Sequence, residues 1–253
     1  MGSGHLETPP TAESIIEEAQ RRLEAQQEAA EIAAENRWQR GMNRFVFWLS
    51  KHWLALFNVL AGLYIGGTFL APILMKLGLT SQGELIYRLY APFCHQYPFR
   101  SWFIFGRQWS YPALRPLQSS DMQNLFRTMI GNEQLGYKVA LCQRDVAIYG
   151  AIFLGGLLYG LLRDRVKIRP IPLWSYLLFG ITPMMLDGGL QWLSYFIWWL
   201  FPGVLAQPHE TTAFLRTLTG ALFGLGIIAL GYPYMQDFFK DTYQTLHQRY
   251  HWT

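Results

Sequence analysis

An all-α, polytopic membrane protein is the fold class this sequence predicts, and three observations carry the prediction. Of 253 residues, 51% are hydrophobic and 16% aromatic, while 15% are charged, against about 25% in an average soluble domain. Four stretches are apolar over the ~20 residues a helix needs to cross a bilayer. Charge is segregated as well: residues 1–36 hold eight acids and two arginines, and residues 37–253 hold nineteen basic and nine acidic residues. A soluble enzyme is not expected from such a chain. The expected organisation is an acidic cytoplasmic leader and helix over 1–36, a transmembrane domain of about four helices over 37–236 with an outer interfacial loop at about 76–138, and a cytoplasmic tail over 237–253.

The opening MGSGHLETPP is expected to be a flexible leader. Leu6 stands where a myristoylation pattern needs Ser or Thr, and no short cleavable signal peptide begins the chain. Residues 11–36 are rich in Ala, Glu, Gln and Arg, all strong helix formers, and Ser14 with Glu17 fits a capping box. Ile16, Ala19, Leu23, Ala30 and Ala33 make a thin apolar stripe, which suits a solvated surface helix or a docking helix for a protein partner.

The first apolar stretch is 53–75, preceded by Arg37, Arg40, Arg44 and Lys51 with no acid between them. The second is 139–162, followed by Arg163, Arg165, Lys167 and Arg169. A third begins at Ile171, is longer than one crossing needs, and contains Pro183 and Gly188-Gly189, so it is expected to be tilted, broken or continued along the outer interface. The fourth is roughly 212–235. Basic short connections face the cytoplasm. Both termini are therefore expected inside a multi-pass protein of the cell membrane. Gly62 and Gly66, Gly156 and Gly160, and Gly220 and Gly224 have the small-xxx-small spacing of close helix contacts.

On this topology the polar residues gather at the outer end. Cys94, His95 and Gln96 lie in the outer loop; Cys142, Arg144 and Asp145 lie in the first two turns of the second span. Asp187 and Gln191 lie near the outer end of the third span, and Arg216 one turn into the fourth. Ionisable groups in a membrane cost about 2.5–3.5 kcal/mol each on insertion scales, so they pair, face a cavity or serve function. One reading pairs Arg144 and Arg216 with Asp145 and Asp187 as two structural salt bridges. A second makes Cys94, His95, Cys142 and Asp145 a tetrahedral zinc set, with two thiolates, one imidazole and one carboxylate. A third joins Cys94 to Cys142 as a disulfide, since two extracytoplasmic cysteines also fit that pattern.

Ser101 near His95 leaves a hydrolytic arrangement open, but no G-x-S-x-G elbow, phosphate-binding glycine loop, dinucleotide fingerprint or C-x-x-C-H haem motif is present. The basic and aromatic run YRLYAPFCHQYPFRSWFIFGRQW suits lipid headgroups better than nucleic acid, so membrane lipids are the expected contact.

The segments Cys94-His95-Gln96, Pro98-Phe99-Arg100-Ser101, Cys142-Gln143-Arg144, Ile148-Tyr149-Gly150, Asp187-Gly188-Gly189-Leu190-Gln191 and Arg216-Thr217-Leu218-Thr219-Gly220 with Phe223-Gly224 follow one another in this order. In this they resemble a prokaryotic family of integral membrane proteins of unknown function, over about residues 50–235. The family's pattern has a second cysteine where this chain has Asp145 and a glycine where it has Ala147, and Trp109 to Lys138 looks like an insertion. The family's cysteines and histidine resemble a zinc set, which the carboxylate of Asp145 either preserves in harder form or ends. The resemblance implies no reaction and does not reach the N-terminal helix.

Three functions follow as expectations. One is a metal-dependent membrane enzyme acting on a lipid or headgroup, with zinc on the four named ligands, Asp187 as base, and Arg216 or Arg144 clamping the anion beside Gln191. Another is a non-enzymatic subunit or assembly factor of a larger membrane complex, bound through residues 11–36. A small transporter ranks last, because no inverted repeat is evident.

Overall fold

The computed structural model describes residues 12–114, 129–201 and 203–252. The expected leader over residues 1–10 and much of the insertion-like segment lie outside the described residues. Two compact units divide the chain, one made of Met1–Lys51 with Thr242–Thr253 and the other of His52–Asp241.

In the first unit, α1 spans Ala12–Ala34 and α2 begins at Arg37, running to Lys76. Ser14 lies inside α1, two residues past its first, so it is not the N-cap. A capping box closes the start of α2 instead: Asn36 Oδ1 accepts from the Gln39 amide at 2.9 Å, and Gln39 Oε1 accepts from the Asn36 amide at 2.9 Å. Each side chain satisfies a backbone donor that the first helical turn leaves free. Ile15, Ile16 and Leu23 are exposed on α1, so its thin stripe is uncovered.

Among the described residues three helices are long and apolar enough to cross a membrane: α2 itself, α4 at Gln143–Leu162 and α8 at Ala213–Tyr250. Trp53, Leu54, Tyr159, Ile228 and Tyr232 form a buried core among them. The Gly220 and Gly224 spacing is where α8 meets α4. A Cβ at Gly220 would lie 2.6 Å from the Arg144 carbonyl oxygen, and one at Gly224 would lie 2.5 Å from that of Ile148. Only hydrogen at those positions permits this approach. Gly66, by contrast, faces no atom within 4 Å.

The expectation of an all-α chain is corrected in the segment between the first two expected spans. After α3, Thr80–Tyr90, a three-stranded antiparallel sheet forms from β1 (Ser101–Ile104), β2 (Gly131–Asn132) and β3 (Gly136–Cys142), in the order β1-β3-β2. β3 therefore takes residues 139–142 from the expected second span. The β2–β3 turn is built by Asn132, whose Oδ1 accepts from the amides of Gln134 and Leu135 at 2.9 Å each, and by Gly136 at φ 80°. An Asn holding its own turn and a glycine in the left-handed region make a hairpin. Val139, Ala140 and Leu141 in β3 are fully buried, which explains why they read as the start of an apolar span.

The third apolar stretch is helical from residue 173 to 200 but not uniformly α. α5 (Leu173–Tyr176), α6 (Thr182–Met184) and α7 (Leu190–Leu200) are separated by π-turns at Leu177–Ile181 and Met185–Gly189. Pro183 has no amide hydrogen and its ring crowds the preceding turn, and the first π-turn lies immediately before it. There the Leu177 carbonyl accepts the Thr182 hydroxyl at 2.8 Å. The second widened turn carries Asp187, and such turns are frequent at functional sites.

Candidate functional site

The loop before β1 is locked from both sides. Gln96 adopts φ 55°, its side-chain Nε2 donates to the Tyr87 carbonyl at 2.7 Å, and its backbone carbonyl accepts the Lys138 ammonium at 2.7 Å. Lys138 comes from β3 and is fully buried. Burial disfavours its charged form and pushes its pKa down to about 8. This lock fixes Cys94, two residues before Gln96. Cys142 is the last residue of β3 and the N-cap of α4, not a residue of its first turns, and β1–β3 pairing sets it opposite Ser101.

The ligand atoms of Cys94, Cys142 and Asp145 lie within 4.8 Å of one another. The Cys142 thiol donates to Asp145 Oδ2 at 3.1 Å. A hydrogen bond with the Cys142 thiol lowers the pKa of Cys94, and the same contact, with burial, raises that of Cys142. The pair thus holds Cys94 as the more readily ionised thiol. Asp145 sits in the first turn of α4, where the helix dipole favours a carboxylate. Tetrahedral zinc at about 2.0–2.3 Å from each ligand sets donors roughly 3.3–3.8 Å apart, so a small contraction would bring this set to that spacing. His95 is not in this group. It is exposed and stacks on Tyr97 at 5.3 Å.

Both cysteines are free thiols. A cavity of about 480 Å³ opens beside Cys94, lined also by Glu84, Tyr87, Arg88, His95 and Gln96.

Beside these residues lies a second cluster whose centre is Glu210, in the connection between α7 and α8. Its carboxylate takes Arg100 in a two-pronged ion pair, Arg216, the Tyr195 hydroxyl and the Gln191 amide. Arg216 also donates to Gln143 Oε1 at 3.1 Å and to the Phe99 carbonyl at 3.4 Å. Gln143 is itself fully buried and bonds Ser110 Oγ at 2.9 Å. Arg144 pairs with Asp187 and reaches Gln191 Oε1 at 3.4 Å, while Thr219 donates to Asp187 at 3.2 Å. Gly188 lets Arg144 in: a Cβ there would lie 3.0 Å from its Nη1.

The expected pairing of two arginines with two aspartates is thereby corrected. Arg144 does meet Asp187, but Arg216 is neutralised by Glu210 and Asp145 faces Cys142. Asp187, Gln191, Arg144 and Arg216 are all held by ion pairs and hydrogen bonds; Arg216 is 3% exposed, whereas the Arg144 side chain is 17% exposed and lines the adjoining cleft. Sequence reasoning passed over Glu210, Tyr195, Gln143 and Lys138. A signal existed for Glu210, because it is the single acid in the connection 201–212.

A cleft of about 430 Å³ borders this network, lined by His95, Tyr97, Arg100, Arg144, Gln191 and Trp192 among others. The network's three guanidiniums face the two carboxylates of Asp187 and Glu210, which leaves one positive charge. Arg144 Nε is buried without a partner among the described residues.

Residues 123–230 match the model of a family described as "Predicted membrane protein (DUF2085)". This central region is similar to that family of predicted membrane proteins. An uncharacterized protein of Methanocaldococcus jannaschii is 27% identical over 165 residues, which is 63% of this chain and 78% of that relative. No solved structure matches the chain. The matched region contains Cys142, Asp145, Asp187, Glu210 and Arg216, and begins after Cys94.

Proposed function

We propose that the chain is a metal-dependent membrane protein acting on an anionic lipid headgroup at its extracytoplasmic face, with α2, α4, the helical run 173–200 and α8 as four spans and both ends in the cytoplasm. The observation that carries the reading is the convergence of Cys94, Cys142 and Asp145 from a loop, a strand end and a helix start. Three protein ligands leave a fourth position exchangeable, as catalytic zinc sites do and closed structural sites do not. A zinc ion there would supply Lewis acidity toward a carbonyl or phosphoryl oxygen. The chain's own residues have three tasks. Cys94, Cys142 and Asp145 would hold the metal, the thiol protons leaving to solvent as it binds, and Arg144 with Arg100 would hold the phosphate at the cleft.

Metal stoichiometry by mass spectrometry on chelator-washed, detergent-purified protein tests this. About one zinc per chain in the wild type, lost in Cys142→Ser, is the expected outcome. Absence of metal in both after zinc is supplied would end the reading.

A second reading, a non-enzymatic subunit stapled by a Cys94–Cys142 disulfide, is favoured by the contact between the two thiols. Its partner surface would be α1, where Ile15, Ile16 and Leu23 are uncovered. A stoichiometric partner that co-purifies with the full chain and is lost on deleting residues 1–36 would favour it.

A further inference from the structure

The unit made of Met1–Lys51 and Thr242–Thr253 holds a cavity of its own, about 630 Å³, lined by Arg37, Arg40, Gly41, Arg44, Arg249 and Trp252 among others. We propose that this cavity binds a phosphate-bearing anion. It is independent of the thiol site and of the cleft at Arg144.

Arg37, Arg40 and Arg44 stand at i, i+3 and i+7 on α2, so they share one helix face. Among the described residues no carboxylate lies within ion-pair distance of any of the three. The nearby acids of α1 engage Arg249 and Tyr250 of the lining, not these three: Glu31 bonds Arg249 at 3.2 Å, and Glu35 lies 4.0 Å from Arg249 and takes the Tyr250 hydroxyl and the Asn43 side-chain amide, while Arg40 also donates to the Ile32 carbonyl at 3.1 Å. Arg249 Nε is buried without a partner among the described residues. The capping box of Asn36 and Gln39 satisfies amides at the start of α2, so the guanidiniums, and not the helix end, would carry the recognition.

The opposite wall is prebuilt. His251 at φ 53° turns the chain back after α8, and Trp252 stacks on Tyr250 with ring centroids 4.2 Å apart. Arg44 lies over the Trp252 ring at 5.7 Å, and the Tyr250 hydroxyl is tied to Glu35 and Asn43. The positive-inside rule accounts for basic residues before a span. It does not account for their convergence on a cavity that the C-terminal segment closes. Arginine forks match phosphate oxygens two at a time, which makes phosphate the chemistry this lining fits best.

The phosphate has two sources, a lipid headgroup or a soluble phosphate ester. Calorimetric titration of the full-length protein in uncharged detergent, with short-chain phosphatidylglycerol and with glycerol phosphate, separates them. Wild type is expected to bind at least one probe, and Arg40→Gln/Arg44→Gln to weaken it about tenfold or more, which is ~1.4 kcal/mol. Arg165→Gln/Arg169→Gln removes the same charge from another basic segment and should change affinity little. Lipid binding alone assigns the membrane as the source, and glycerol phosphate binding, with or without the lipid, assigns a soluble ester. Arg37→Gln, at the exposed first residue of α2, is a second variant should the double variant fail to fold. Binding of neither probe to wild type overturns the proposal, as does equal weakening by both double variants. None of these outcomes depends on metal binding by the thiols.

Discussion

Arg216, one turn into α8, is neutralised by Glu210 from the connection just before that helix, and the same carboxylate holds Arg100 from the turn just before β1. One acid thus ties the loop before β1 to the start of α8, with Tyr195 and Gln191 of α7 completing its hydrogen bonds. Removing it would leave two guanidiniums, one of them 4% exposed, without a counter-charge.

Glu210→Ala is therefore expected to destabilise the protein by about 3–5 kcal/mol, the range for breaking one side of a buried pair. A fall in the detergent melting temperature much larger than that of Glu84→Ala, whose partner Arg88 is 79% exposed, checks this. Equal falls would show that the network contributes nothing beyond a surface pair.

The helix contact at Gly224 gives a second expectation. Gly224→Ala should cost about 1–3 kcal/mol by forcing α8 away from the Ile148 carbonyl, whereas Gly66→Ala meets open space and should be neutral or slightly stabilising. Thermal unfolding of the two variants side by side measures the difference.

At the thiol site, His95→Ala is expected to retain bound zinc and Asp145→Asn to lose affinity, since Asp145 belongs to the converging set and His95 does not. Competition against a zinc indicator gives the order. Loss of zinc in His95→Ala with retention in Asp145→Asn would return the site to the set anticipated from sequence.

Lys138 makes stability depend on pH. Its folded pKa of about 8 lies below the unbound value of 10.5, so between the two the unfolded chain holds more protons than the folded one. Stability contributed by this group therefore rises with pH across that window. Wild type should gain stability from pH 8 to 10 relative to Lys138→Met, read as the difference between two denaturation series. A wild-type curve parallel to that of the variant would mean that burial does not shift the group.

Hydropathy determined that the chain carries several membrane-length apolar helices, because the length of a span and the absence of charge within it are local properties. That Arg144 of α4 lies close to Asp187 in the helical run 173–200 was legible too, because hydropathy places both near the ends of neighbouring apolar stretches. Local sequence did not reveal the sheet, because the buried residues of β3 are as apolar as the helix that follows, and only pairing with β1 distinguishes strand from span. The pairing of charges was decided by tertiary structure alone. Two arginines and two aspartates have the same charge balance however they pair, and which carboxylate meets Arg216 depends on where the connection before α8 folds. The same holds for His95: adjacent to Cys94 in sequence, it is turned toward Tyr97 because Gln96 and Lys138 lock the loop between them.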